Sequence, residues 1–303
     1  MSAPSVPMIR QTAGAGAARS AARRRKGVGS ERRPGWLTYL LLGVAIVISA
    51  YPLYFAMQLA SSTSAEIAQN PIPQLLPDGQ LIENLKRVLE ADIDLWQAIL
   101  NSVIVSSATA VSVVMFATLA GYSFAKLRFR GRRPLLVFVI ATMAVPTQLG
   151  VVPLFIVMRE LDLVGTLWAV ILPGMVTAFG VFWMTQYLDA ALPYELIEAA
   201  RVDGASMIRT FWNVALPAAR PAAAMLGLFT FIASWTNFFW PSIVLGTKNP
   251  TLPVALQLLQ AGFFKDIALI MAGVVISVIP LIALFIFAGR QLVAGIMQGA
   301  VKG

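Results

Sequence analysis

The chain has 303 residues, is 58% hydrophobic and 12% charged, and has a mean hydropathy of +0.76. A soluble globular domain carries roughly 25% charged residues, so this chain is solvated mainly by lipid. It contains no cysteine and no histidine, which excludes a disulfide framework and a thiolate metal site and removes the commonest proton carrier and general base.

Residues 1–35 are rich in Ala, Ser and Gly and hold a basic run, Arg23-Arg24-Arg25-Lys26. With too few large apolar side chains to offset chain entropy, they are expected to form a disordered cytoplasmic tail. The apolar run that follows is too long for a signal peptide and lacks a small-residue cleavage site, so it reads as a retained first span. Six apolar segments are long enough to cross a hydrocarbon core, which takes about 20 helical residues: Leu37–Met57, Ile99–Ala125, Leu135–Met158, Thr166–Leu188, Pro221–Leu245 and Ala268–Gly289. None contains Asp, Glu, Lys or Arg in its interior. The expected class is an all-α integral membrane protein, with 36–303 as one six-helix transmembrane domain. Pro52, Pro146, Pro153, Pro173, Pro241 and Pro280 are expected to kink these helices.

Between the first two spans, Pro71-Ile72-Pro73 and Pro77-Asp78-Gly79 signal turns. Leu81, Leu85, Val88, Leu89 and Trp96 then recur at helical spacing. This predicts an amphipathic helix at the membrane surface or under a partner.

Between the fourth and fifth spans lies a polar segment, 189–220. Leu192-Pro193-Tyr194 opens a helix, with Glu195 and Glu198 near its positive end. Asp203-Gly204 breaks it at a left-handed cap. A second short helix follows, with Met207, Ile208, Phe211, Trp212 and Val214 on its apolar face; Leu216-Pro217 is expected to end it and Pro221 to open the next span. Two short helices at a glycine turn form a knob that either docks a partner or packs on its own membrane domain.

Orientation follows from the basic residues of the loops. With the N-terminus inside, 18 of the 23 Lys and Arg fall on the inner side, as do 5 of the 14 acidic residues. The formal charge of +9 is thus a topology signal that brings arginines to anionic lipid heads, and it argues against nucleic acid. Both termini are expected in the cytoplasm, with the chain in the plasma membrane.

Glu198-Ala199-Ala200, Gly204 and Leu216-Pro217 resemble the EAA loop of membrane permease subunits in ATP-binding-cassette importers, whose pattern is E-A-A, three residues, G, nine residues, I, one residue, L-P. Val214 stands at the isoleucine position. The resemblance runs from about residue 37 to the end. Asn101-Ser102, the stretch from Tyr122 to Gly131 and the tail from Ala294-Gly295 through Gly299-Ala300-Val301-Lys302-Gly303 are similar to the carbohydrate-uptake branch, the group holding the second membrane subunit of the maltose transporter. Relatives usually show W-N-[D/E]-F in the fifth span, whereas this chain has Trp235-Thr236-Asn237-Phe238.

The resemblance implies a type I importer permease fold and a coupling role for Glu198, Ala199, Ala200, Asp203, Gly204, Leu216 and Pro217. It implies as partners a second, related permease, two ATP-binding subunits that hold ATP and Mg, and an extracellular solute-binding protein. The C-terminal tail would reach toward the ATPase dimer.

The chain itself has no G-x-x-x-x-G-K-[ST] loop, so its energy must come from a partner. No ionisable residue lies inside a span, which argues against an ion-coupled carrier. No catalytic constellation, metal site or cofactor site is evident. The solute path of a di- or oligosaccharide importer needs neutral polar groups and aromatic faces. Candidates are Thr147, Gln148, Trp183, Gln186, Trp235, Asn237, Phe238 and Phe239. Trp240 reads as part of an interfacial aromatic belt. In the maltose relative, sugar contacts come mostly from the other permease. A glycerol-3-phosphate importer is the near alternative and would need basic path residues. A scaffold whose loop only recruits a cytoplasmic protein is a further one.

Overall fold

The computed structural model describes residues 35–70, 76–260 and 265–300, with the backbone alone for 288 and 290–300. The basic tail, the Pro71-Ile72-Pro73 turn and the end of the C-terminal tail lie outside the described residues. Among those described, every regular element is a helix.

The chain divides into two units, Met1–Leu53 and Tyr54–Gly303, and the division falls inside α1 (Trp36–Ala60). In the first unit, α1 is apolar on all sides and carries Pro52. A helix without a polar face suits a lipid surround.

In the second unit two short helices, α2 (Ser64–Gln69) and α3 (Leu81–Glu90), precede α4 (Leu95–Lys126). The amphipathic α3 forms where its spacing predicts. It packs on the sixth span, burying Val88 and Asn84, and the Asn84 amide donates to the carbonyls of Ala60 (2.9 Å) and Ser62 (3.0 Å).

The third predicted span is not one straight crossing. α5 (Arg132–Thr142) meets a 3-10 turn at Thr147–Gly150 and α6 (Val151–Glu160) at 89°. Pro146 has no N–H and biases the residue before it away from helix. It takes an extended conformation at the corner. The fourth span, α7 (Trp168–Gly174) and α8 (Ala178–Ala191), bends by 40°. Thr177 sits in the bend and caps α8, its hydroxyl accepting from the Gly180 amide at 3.1 Å.

The fifth span departs most from expectation. After α9 (Tyr194–Val202), α10 (Met207–Thr210) runs through a π turn, Phe211–Ala215, straight into α11 (Leu216–Trp235). Leu216-Pro217 ends nothing, and Pro221 lies within a helix that is already under way. The π turn is the reason. It bonds the Leu216 amide back to the Phe211 carbonyl, so the donor missing at Pro217 falls where the ladder has already shifted. The span stops at Trp235, short of Leu245. Residues 236–238 break the chain before α12 (Phe239–Val244). α13 (Leu252–Leu258), an element the sequence reading missed, and α14 (Ile267–Ala300) complete the unit.

α4 is the axis. It packs on α8 and α11, and the cluster between them includes Val113, Ala117, Tyr122, Met184, Leu188 and Leu226. Apolar burial drives little association between helices in lipid, so close backbone approach through small residues matters more. Gly121 and Gly180 supply it where α4 crosses α8.

Polar bonds tie loops together at the N-terminal end of α4. Gln97 Nε2 donates to Asn249 Oδ1 (2.9 Å), and Asn249 Nδ2 to the Gly165 carbonyl (2.8 Å). Asn101 Nδ2 donates to the Pro250 carbonyl (3.0 Å), while Ser102 Oγ accepts from the Leu252 amide (2.7 Å). The Asn101-Ser102 pair thus fixes the start of α13. The other end of α4 meets the segment after α8.

Candidate functional site

The 189–215 segment is held from beneath by a few residues. Lys126, at the end of α4, is buried and donates to the Asp189 carbonyl at 3.0 Å, satisfying the C-terminal turn of α8. Pro193 sits just ahead of α9, as expected for a helix start. The guanidinium of Arg128 lies over the Tyr194 ring, 5.5 Å from its centroid. Ile197 is fully buried among Leu188, Leu192 and Phe211, and the Phe211 ring is 5.9 Å from that of Tyr122.

The helix ends in a complete Schellman motif. The Ala205 amide donates to the Ala200 carbonyl (2.9 Å) and the Gly204 amide to Arg201 (3.0 Å), with Gly204 at φ +74°. No atom lies within 4 Å of where a Gly204 Cβ would stand, so backbone conformation alone selects glycine there. Ser206 then caps α10, accepting from the Arg209 amide at 3.3 Å.

The opposite face is bare. Leu196, Glu198, Ala199, Arg201 and Asp203 are exposed, and so are Met207, Ile208 and Trp212. Val202, at 88% exposure, projects the most. Ala200 is half-buried, as are Leu216 and Pro217, which lie in α11 rather than in a loop. Apolar groups thus stand open beside acidic ones. The sequence reading gave Ile197 no role, yet Ile197 and Phe211 are the anchors, on the side turned toward α4 and α8.

The eight path candidates do not converge. Thr147, Gln148, Gln186, Asn237 and Phe239 are exposed. Asn237 stands in the break after α11. Trp183 is half-buried, its Nε1 3.3 Å from the Ala222 carbonyl. Trp240 donates to the Ala169 carbonyl at 2.9 Å and pins α12 to α7. Only Trp235 and Phe238 meet, in a cavity of about 500 Å³ between α11, α13 and α14. Trp235 is buried, stacks on Phe231 at 5.9 Å, and donates to the Ser277 carbonyl at 3.2 Å. Thr236, Gln257, Gln260 and Ser277 supply polar groups to this cavity, and among the described residues no charged one lines it. The sequence reading missed these four.

One ionised group organises the end of α14. Asp266 accepts from Ser64 Oγ, Arg87 and the Leu269 amide, joining α2, α3 and α14. Burial pushes its carboxyl up, but the Ser64 and Leu269 bonds and the Arg87 charge outweigh that and hold it below the ordinary aspartate range. Among the described residues there is no cluster of three or more potential metal ligands.

A family model described as "Binding-protein-dependent transport system inner membrane component" matches residues 114–296. The chain is 33% identical over 272 residues to the arabinooligosaccharides transport system permease protein of Halalkalibacterium halodurans, covering 88% of this chain and 96% of that one. It is 28% identical over 279 residues to the sn-glycerol-3-phosphate transport system permease protein of Brucella abortus, covering 88% and 98%. Its structure resembles a chain of a bacterial ABC transporter that imports the acidic polysaccharide alginate, with a TM-score of 0.70 and 24% identity over 84% of this chain and 94% of that one.

Proposed function

We infer the role of this chain from the family to which it belongs, the binding-protein-dependent transport system inner membrane components. It is a multi-pass permease subunit of the bacterial plasma membrane, part of an ATP-driven importer, and a transport component rather than an enzyme. Such a permease works with a partner permease, an ATPase and a solute-binding protein.

Within that frame, the exposed face of α9 and α10 seats the ATPase. Two ATP-binding subunits and one related permease complete the assembly, and ATP with Mg binds on the ATPase. One observation carries this reading: the exposed Glu198-Ala199 face is backed by Ile197, which shares a buried cluster with Phe211 in the helix that runs into the fifth span. A load on α9 passes through that packing, and around the bonded Gly204 cap, into α10 and α11. Closure of the ATPase on ATP then moves the segment and reopens the path toward the solute-binding protein. The N-terminus and the coupling segment face the cytoplasm in this reading, as the basic loops require.

The solute is a di- or oligosaccharide. Both the arabinooligosaccharide relative and the uncharged, aromatic-lined cavity at Trp235 and Phe238 support a neutral, hydroxyl-rich ligand. The glycerol-3-phosphate relative keeps a phosphate ester in view, but among the described residues no basic side chain lines that cavity.

The chain has no cysteine, so Ala199→Cys introduces a unique thiol. In the assembled transporter it is expected to cross-link to the ATPase subunit. A thiol there that reaches no subunit would end the coupling role. Proteoliposome uptake separates the solutes: neutral oligosaccharide is expected to enter only with ATP, whereas uptake of glycerol-3-phosphate alone would overturn the sugar assignment, and uptake without ATP would point to an ion-coupled carrier.

A further inference from the structure

The linker between α4 and α5 holds Arg128, Arg130, Arg132 and Arg133, and the next acidic residue along the chain is Glu160. Among the described residues, none of the four arginines forms an ion pair with a carboxylate. Three of them, with Phe129, Gly131 and Pro134, line a pocket of about 350 Å³. We propose that this pocket binds the phosphate headgroup of an anionic phospholipid.

Two of the three guanidiniums are already positioned. Arg132 donates to the Ala125 carbonyl at 3.3 Å, and Arg128 rests on the Tyr194 ring. Holding the forks in place before the ligand arrives lowers the entropy lost on binding, and planar guanidiniums match phosphate oxygens in pairs. The first turn of α5 adds some positive character: the Arg132 amide is bonded to the Phe129 carbonyl and Pro134 has no N–H, which leaves the Arg133 amide open. A soluble phosphate would meet the same charges. Lipid is favoured because Leu135, Val137 and Phe138 stand exposed along α5 just past the pocket, an apolar track for acyl chains that begins where the headgroup would sit. Phe129 is 41% exposed at the pocket rim, and aromatic rings favour the headgroup layer.

The site lies beside α9, but its test does not depend on transport. The full transporter is placed in nanodiscs of phosphatidylcholine with either spin-labelled phosphatidylglycerol or spin-labelled phosphatidylcholine, and the motionally restricted fraction of the label is measured. Phosphatidylglycerol is expected to be restricted in preference to phosphatidylcholine. That preference should fall about fivefold for each of Arg128→Gln, Arg132→Gln and Arg133→Gln, from the attraction of one basic side chain to an anionic surface. Arg133 is exposed, so Arg133→Gln keeps the test valid should the other two disturb folding. Arg159→Gln, at a cation paired with Glu160, is expected to change nothing. Equal restriction of the two lipids would overturn the site. So would an Arg159→Gln loss as large as the others, which would mean diffuse charge. Displacement of phosphatidylglycerol by millimolar inorganic phosphate, with phosphate binding to the detergent-solubilised protein, would assign the pocket to a soluble anion and overturn the lipid.

Discussion

Gly121 and Met184 touch backbone to backbone: a Cβ on the glycine would stand 2.7 Å from the methionine Cβ and 2.8 Å from its carbonyl carbon. Neither atom is the free end of a flexible side chain, so α4 and α8 would have to part. Gly121→Ala is expected to destabilise the protein by about 1–3 kcal/mol, and Gly121→Leu to prevent folding. Thermal unfolding in detergent reads both. A Gly121→Ala protein that melts like the parent would show that the crossing is looser than it looks.

Ile197 and Val202 sit on the same short helix with opposite exposures. Ile197→Ala empties a packed site and should cost about 2–5 kcal/mol. Val202→Asp touches nothing in the chain, so melting should not change, while solute-stimulated ATPase activity should drop. Equal effects of both on melting would mean that Val202 is covered within this chain.

Gly204 combines a left-handed backbone with a donated hydrogen bond. Gly204→Pro fixes φ near −65° and removes the donor, so α9 and α10 lose their relative orientation. Membrane insertion is expected to be normal and uptake to be lost; Glu198→Lys should match it by reversing charge on the exposed face. Unchanged uptake in both variants counts against coupling through this segment.

Gln257 lines the cavity at Trp235 without being part of the packed core. Gln257→Ala is expected to raise the KM for oligosaccharide uptake about 10-fold, the loss of one to two hydrogen bonds, and to leave basal ATP hydrolysis unchanged. An unaltered KM would separate this cavity from the solute path.

Asp266 is held below the ordinary aspartate range, so its stabilising contribution is full above the unfolded-state value and is lost as pH falls through the lower folded one. Melting temperature is therefore expected to decline below about pH 4 and to decline less in Asp266→Asn. Its partner Arg87 is 44% exposed, so solvent screening limits the pair to below about 1 kcal/mol. Identical pH profiles for both proteins would show that the α2–α3–α14 junction does not depend on this charge.

Four crossing helices, up to six if each bent pair is one span, and the α9 break were legible because they rest on local signals: long uncharged apolar runs, and Asp203-Gly204 after a proline-led helix. The route through Leu216-Pro217 was not, since two prolines normally stop a helix and a π turn leaves no mark in composition. The 89° corner was half-legible: Pro146 flags a kink, but its angle depends on what α5 and α6 pack against. The cavity residues escaped because Gln257 and Ser277 belong to segments far apart in sequence, and only the packing of α13 against α14 unites them. Ile197 was passed over for the alanines beside it, because on so short a helix several phases of the apolar pattern fit equally well.

The π turn has one more bearing. It carries a surplus residue, taken up in one widened turn instead of a change of azimuth of about 100°. Removing a residue between Trp212 and Val214 would let that turn close as ordinary α-helix between the same Leu216 amide and Phe211 carbonyl, and leave Met207 and Ile208 facing as they do. The same removal inside the regular part of α11 would swivel everything N-terminal to it by about 100°. Tolerance for a change of length in this stretch is therefore confined to a few positions.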